Sequence, residues 1–382
     1  MNNGFVRAIK VMSVAGIVAA GGAANAQAWD PIAFGPLGNL PSGASYWTSV
    51  IDISGDGMSY VGATNLGQGV LVTPSTNYLL TIPSGSSPFG MSRNGQVVVG
   101  GTTTTPQHWS IANAVGSTIP AVNIPLPSGV SGVGPAYGTN ANGTAFGLPS
   151  PTAAMTASYH RRATTSFLAI NPAGSAGAYR GIAADVPVMV VLGTFPGNPT
   201  NAYRWNYENN TVSALNMPAG ASSIEAGAVG ASMSGDASRV GGTATIGGIT
   251  QPYWWDAAGN PHAVPLLPGA IFGQLTAMNY AGTLGGGSMW ISGQGNRAML
   301  HSLNGGEVFN LHTIYSQAGL LPAGWTLVST RHISDDGSRI YCLATAPDGT
   351  NRMVLLTGNH LPTPGSLALL GIGGLVAMRR RR

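Results

Sequence analysis

The sequence predicts an all-β protein built as a single β-propeller, and three observations carry that expectation. Gly and Pro supply 57 and 26 of the 382 residues, about a fifth of the chain, and both resist helix interiors. Only 7% of residues are charged while 44% are hydrophobic, so the chain can bury a core and is no disordered polymer. A four-residue turn followed by a Val/Gly strand recurs along the body, and an aromatic or Leu landmark recurs in step with it.

The turns run in order as Ser54-Gly-Asp-Gly57, Ser92-Arg-Asn-Gly95, Asn140-Ala-Asn-Gly143, Ala183-Ala-Asp-Val186, Ser234-Gly-Asp-Ala237, Asn279-Tyr-Ala-Gly282 and Ser334-Asp-Asp-Gly337. Their fourth residues are 38, 48, 43, 51, 45 and 55 positions apart, a mean of about 47, which is the length of one propeller blade. Seven markers predict seven blades; the weak markers at Val186 and Gly282 leave six or eight compatible with the spacing. Trp109, Trp205 and Trp255 follow their turns by 14, 19 and 18 residues, and Leu71, Leu300 and Leu355 by 14, 18 and 18. Tyr159 or His160 fills the slot in the third unit. Strand side chains alternate, so Tyr203 and Trp205 share one face, as do Tyr253 and Trp255, and packing between sheets is their expected role. The one helical pattern in the body is Leu311 to Leu320, with Leu311, Ile314, Tyr315 and Ala318 at i, i+3, i+4 and i+7.

The ends read as addresses. Residues 1–26 have the form of a secretory signal peptide: Arg7 and Lys10, an apolar run from Val11 to Ala24, and small residues Ala24 and Ala26 at the cleavage position. Residues 29–358 are the repeat domain. Residues 362–382 form a tail of Pro362-Thr363-Pro364-Gly365, a 13-residue apolar run to Met378, and the basic stop Arg379, Arg380, Arg381 and Arg382. Six of the 16 basic residues lie in these two ends, leaving ten Arg against 12 acidic residues in the body. The net charge of +4 therefore belongs to the ends, and nothing in the body suggests a nucleic-acid surface.

The tail resembles the PEP-CTERM sorting signal of Gram-negative bacteria, with Thr363 standing where that family has Glu. The resemblance implies export through the Sec machinery and processing by an exosortase-like enzyme. It also implies transient or lasting inner-membrane anchoring, with the arginines cytoplasmic. The repeats resemble the HAF-type repeats of exported bacterial proteins, best over Gly230 to Gly287 through Met233-Ser-Gly-Asp236 and Pro252-Tyr-Trp-Trp255. That family implies an exported propeller-like body at the cell surface, envelope or extracellular matrix, with no shared activity.

Sites for chemistry are sparse. The histidines at 108, 160, 262, 301, 312, 332 and 360 show no paired metal-ligand spacing, and His108, His160 and His301 fall in or beside the aromatic strand slot. Asp56, Asp236 and Asp336 belong to Gly-containing turns, which Asp and Asn favour for backbone reasons; calcium would need more oxygen ligands than one such turn offers. Cys342 sits in an apolar strand and reads as a buried hydrophobe. Arg161-Arg162 is the densest basic spot, with a solvated loop favoured over contact with an acidic polysaccharide; Trp254 faces opposite its aromatic neighbours, with packing between sheets favoured over stacking on a sugar. The sequence thus predicts no catalytic residue, no cofactor and no metal. It predicts a non-catalytic surface or matrix protein binding glycans, envelope or biofilm components. The alternatives are an extracellular propeller enzyme acting on polysaccharide, of glycosidase or lyase type, and a purely structural envelope component. The enzyme would need two of Asp52, Asp185, Asp256, Glu208, Glu225 and Glu307 brought together in a cleft.

Overall fold

The computed structural model describes residues 29–126, 134–148, 156–161, 166–170, 176–194, 201–227 and 232–360. Ala24, Ala26, Pro362, Thr363, Pro364, Gly365 and the four terminal arginines lie outside them. So does Arg162, and nothing is described of the side chains of Tyr159, His160 and Arg161.

The described residues form seven sheets that succeed one another in chain order, antiparallel throughout but for one parallel strand added to the first. The innermost strands are Trp47–Ile53, Ser87–Met91, Gly138–Thr139, Ala176–Ile182, Ala221–Ala226, Ala270–Met278 and Thr326–Ile333, and successive sheets touch around a closed ring. This is the all-β propeller that the sequence predicts. In the seventh sheet the outermost strand comes from the other end of the chain: Trp29–Pro36 pairs antiparallel with Asn351–His360, from Trp29 opposite His360 to Pro36 opposite Val354. Thr118–Ile119, in the connection after Pro106–Ser110, pairs parallel with Asn77–Leu80 of the first sheet and so ties the first two sheets together.

The core lies between the sheets. Trp109 packs with Val61, Leu71 and Val98; Trp205 with Ala145, Met189 and Tyr203; Trp255 with Val190, Ala202 and Val240. All three indoles are fully buried, and each N–H donates to a partner: the Thr81 carbonyl at 2.9 Å, Asn210 Oδ1 at 3.0 Å and the Asn216 carbonyl at 2.8 Å respectively. The aromatic landmark is therefore a wedge between sheets. Its polar edge is satisfied, as a buried indole requires. His108 stacks on Phe146 and His301 is buried with Nδ1 2.9 Å from the Glu307 carbonyl, so these two pack as the repeat pattern predicts. Cys342 is buried, and burial pushes its thiol up to about 12. The helix spans Leu311–Gln317, buries Leu311 and Tyr315, and is capped by Asn310 Oδ1 accepting from Thr313 N–H. Among the described residues no helix is long and apolar enough to cross a membrane.

The repeated turn has two chemical solutions. In the first, the opening Ser donates to the carboxylate or amide oxygen of the third residue, and that oxygen accepts a backbone N–H two residues on. Ser54 to Asp56 Oδ1 is 2.6 Å, Ser92 to Asn94 Oδ1 2.7 Å, Ser234 to Asp236 Oδ1 2.7 Å and Ser334 to Asp336 Oδ1 2.6 Å. In the second, an opening Asn does both tasks: Asn140 Oδ1 accepts from Thr144 and Ala145, and Asn279 Oδ1 from Thr283 and Leu284. The third residue then has no turn duty, which is why Ala281 suffices there. The fourth residue takes a left-handed φ at Gly57, Gly95, Gly143, Gly282 and Gly337, and even at Ala237, where φ is 55°. The fourth unit departs from this. Ala183 offers no side-chain oxygen, and Val188 N–H closes onto the Val186 carbonyl at 2.7 Å instead.

Candidate functional site at the axial mouth

The turns sit at one end of the innermost strands, so their second residues meet at the axis. Those residues are Gly55, Arg93, Ala141, Ala184, Gly235, Tyr280 and Asp335. Hydrogen bonds link them into a ring that runs once around the axis. Gly55 N–H donates to the Arg93 carbonyl at 2.8 Å, Asn94 N–H to Ala141 at 3.3 Å, and Ala141 N–H to Ala184 at 3.1 Å. Asp185 N–H donates to Gly235 at 3.0 Å and Gly235 N–H to Tyr280 at 2.9 Å. Asn279 Nδ2 then donates to the Asp335 carbonyl at 3.2 Å, and Asp335 N–H returns to Gly55 at 2.7 Å.

Only three of the seven carry a large side chain, and these three engage one another. The Arg93 guanidinium pairs with Asp335 and lies over the ring of Tyr280. The glycines make the room: a Cβ at Gly55 would overlap the Asp335 carboxylate, and one at Gly235 would overlap the Tyr280 ring. Beneath this plug is a cavity of about 110 Å³, bordered also by Asp52, Thr139 and His332.

Asp52 joins two sheets. Its Oδ1 accepts from Ile53 N–H and its Oδ2 from Met91 N–H, both at 2.8 Å. Desolvation outweighs these bonds and pushes the carboxyl up from 3.8 to about 7. A fifth of the side chain still meets solvent through the cavity, so the environment is a narrow polar pocket and not a sealed core. His332 Nε2 lies 3.2 Å from the Val50 carbonyl, which fixes the proton on Nε2 and turns the bare Nδ1 toward Asp52 Oδ1 at 3.8 Å. Burial holds this imidazole down at about 4, so it is neutral at pH 7. Asp335, half-buried and near the carboxylates of Asp336, Asp56 and Asp185, rises to about 6 although Arg93 opposes the shift. Two carboxyl groups that exchange protons near neutrality thus stand at one polar pocket, an arrangement suited to proton transfer or to gripping a hydroxyl-rich ligand.

The six candidate carboxylates do not gather as a set. Asp52 and Asp185 belong to the axial mouth, where Asp185 acts on both Arg93 and Asp335. Glu225 borders a separate cavity with Arg180. Asp256 serves an outer turn, accepting from Asn260 N–H at 2.8 Å with His262 Nε2 at 3.2 Å, and these partners hold it down at about 2 against desolvation. Glu208 is exposed in the turn after Ala202–Asn206, and Glu307 shares its carbonyl between Ser302 N–H and His301. Asp56, Asp236 and Asp336 are spent on their turns. Trp254 stacks on His262, 4.0 Å between ring centres, with Arg239 at 4.9 Å, so it is a packing residue and not an open sugar platform. Arg93, Tyr280 and Asp335 escaped the sequence reading because the second turn position looked variable. Aligning the turns on that column alone, Gly-Arg-Ala-Ala-Gly-Tyr-Asp, would have set the three large residues apart.

No protein-family model and no curated protein sequence matches the chain. Solved structures do share its shape. An oligogalacturonate lyase in complex with manganese is 12% identical, with a TM-score of 0.55 over 87% of this chain and 97% of that one. The oligogalacturonate lyase of Vibrio parahaemolyticus is 11% identical, with a TM-score of 0.57 over 87% and 98%. At these identities the likeness is one of fold: the chain is a β-propeller protein.

Proposed function

We propose that this chain is an exported propeller of the cell surface or extracellular matrix that binds polysaccharide without turning it over. The observation that carries the reading is the state of the axial mouth: its one guanidinium is already neutralised by Asp335 and covered by Tyr280. Such a mouth is a polar plug whose charges already satisfy one another, and function passes to the loops and grooves that the rigid ring presents. The signal-like start and the tail at Pro362-Thr363-Pro364-Gly365 support export and exosortase-like processing. Intact-mass measurement of the exported form tests them, a full-length chain in the medium being the refuting result.

A second reading, an extracellular enzyme acting on polysaccharide, is favoured by Asp52, a carboxyl raised to about 7 beside a neutral His332. The fold neighbours that are oligogalacturonate lyases are consistent with it. Incubation with a panel of bacterial exopolysaccharides, reading both retention and chain ends released, separates the two. Retention without release supports the binder. Release that vanishes in Asp52→Asn establishes the enzyme.

A further inference from the structure

The face opposite the turns carries a groove that neither the axial plug nor the core explains. In the sixth sheet Phe272 pairs with Trp290, Gln274 with Ser288, and Trp290 in turn with Asn296. Alternation puts these five side chains on one face of the sheet. Farther along that face, Leu284, Ala298 and Leu300 are sealed against the seventh sheet. At this end the two sheets part. Phe272, Gln274, Ser288 and Asn296 face Ser329 and Arg331 across a cavity of about 260 Å³.

Two features of the groove ask for a ligand. Phe272 and Trp290 are 36% and 39% exposed and lie parallel, ring centres 5.8 Å apart and planes 10° apart. Stacked on one another, they form an exposed apolar platform, and among the described residues no other Phe or Trp is as exposed. Arg331 is exposed, and among the described residues no ion pair or hydrogen bond engages its guanidinium and no carboxylate acts on it. Gln274 and Thr276 continue the groove into the neighbouring cavity, where a second guanidinium, Arg180, has no hydrogen-bond partner for its Nε among the described residues. Glu225 is the one carboxylate there, against two arginines.

We infer that this groove is a binding site for an anionic polysaccharide, one sugar ring lying on the Phe272–Trp290 platform and its carboxylate or sulfate held by Arg331. The inference rests on the polysaccharide-binding reading above and adds to it a place and a charge. A pyranose offers an apolar C–H face to an aromatic plane and hydroxyls to the side. Here Gln274, Ser288 and Asn296 supply donors and acceptors at that side. A guanidinium fork matches a carboxylate with two parallel hydrogen bonds, which selects an acidic sugar over a neutral one.

The test uses the purified full-length protein on immobilised polygalacturonate and on neutral dextran, with near-ultraviolet circular dichroism to confirm that each variant is folded. Retention on polygalacturonate but not on dextran is expected, weakening as salt is raised. Trp290→Ala and Arg331→Ala should each lose about ten-fold or more, the equivalent of about 1.4 kcal/mol. Arg331→Lys should fall between, and Ile249→Ser, an exposed apolar change away from the groove, should match the wild type. Equal retention by all variants overturns the groove while leaving polysaccharide binding standing. No retention of the wild type on either matrix overturns both. A dimer that dissociates on Trp290→Ala with retention unchanged would assign the platform to self-association and also overturn the inference.

Discussion

Asp52 offers the sharpest quantitative handle on the axial mouth. Its carboxyl titrates near 7 when folded and near 3.8 when exposed. Between those two values the unfolded chain gives up a proton that the folded protein keeps. Stability is therefore lost as pH rises through that window, and is level above about 7 and below about 4. The full shift corresponds to on the order of 4 kcal/mol. Because a fifth of the side chain is wetted through the cavity, about half of that, ~2 kcal/mol, is the working figure. Asp52→Asn removes the titration. It also sets an NH₂ against one of two backbone donors, Ile53 or Met91, at a pH-independent cost of about 1–3 kcal/mol. The variant should thus be the less stable protein at pH 4, and the gap should close by ~2 kcal/mol by pH 8. His332 stays neutral over most of this range and, to first order, cancels between the two proteins. Urea unfolding followed by tryptophan fluorescence at stepped pH measures the difference. A gap that does not change with pH would refute the argument, since it would mean that Asp52 ionises in the folded state as readily as in water.

Four further outcomes follow from the ring and its wedges. Gly235→Ala should push Tyr280 off Arg93 and lower the thermal midpoint, at a cost of about 1–3 kcal/mol; an unchanged midpoint would mean the ring has room that the geometry denies. Arg93→Ala removes the one cation beside Asp335, so its carboxyl should titrate above the present value of about 6, read by carboxyl carbon NMR. Trp205→Ala should cost about 3–5 kcal/mol in chemical denaturation, as a buried wedge that also gives up its bond to Asn210. Ala237→Gly should gain about 0.5–1 kcal/mol by relieving the left-handed φ, net of glycine's entropy in the unfolded chain.

The turns and wedges were legible because one local rule repeats. Ser with Asp or Asn closes the turn, glycine accepts the positive φ, and a Trp about 14 to 19 residues later fills the space between sheets. The fourth unit was hard to place for the matching reason, since Ala183 and Val186 discard both parts of the rule. The axial site was only half legible. Asp52 stood among the candidate carboxylates, but its partners come from other units, and Met91 contributes only a backbone N–H. Arg93, Tyr280 and Asp335 are 187 and 55 residues apart along the chain, and only ring closure makes them neighbours. The groove of Phe272, Trp290 and Arg331 was invisible for a related cause: it depends on where two sheets part, and no periodicity records that.

Closure by Trp29–Pro36 against Asn351–His360 sets an order of events on the chain. Among the described strands the first to leave the ribosome has no partner until the last is made, so the seventh sheet remains incomplete while everything between is being synthesised. A chain in that state keeps a sheet edge open at each end and has not yet joined its two ends, the step that costs the most loop entropy. If the chain is exported as proposed above, it should stay threadable until nearly all of it has crossed, and lock only when residues 351–360 arrive. Those residues immediately precede the segment that resembles a sorting tail. Folding of the ring and release of the chain would then be consecutive events at one boundary.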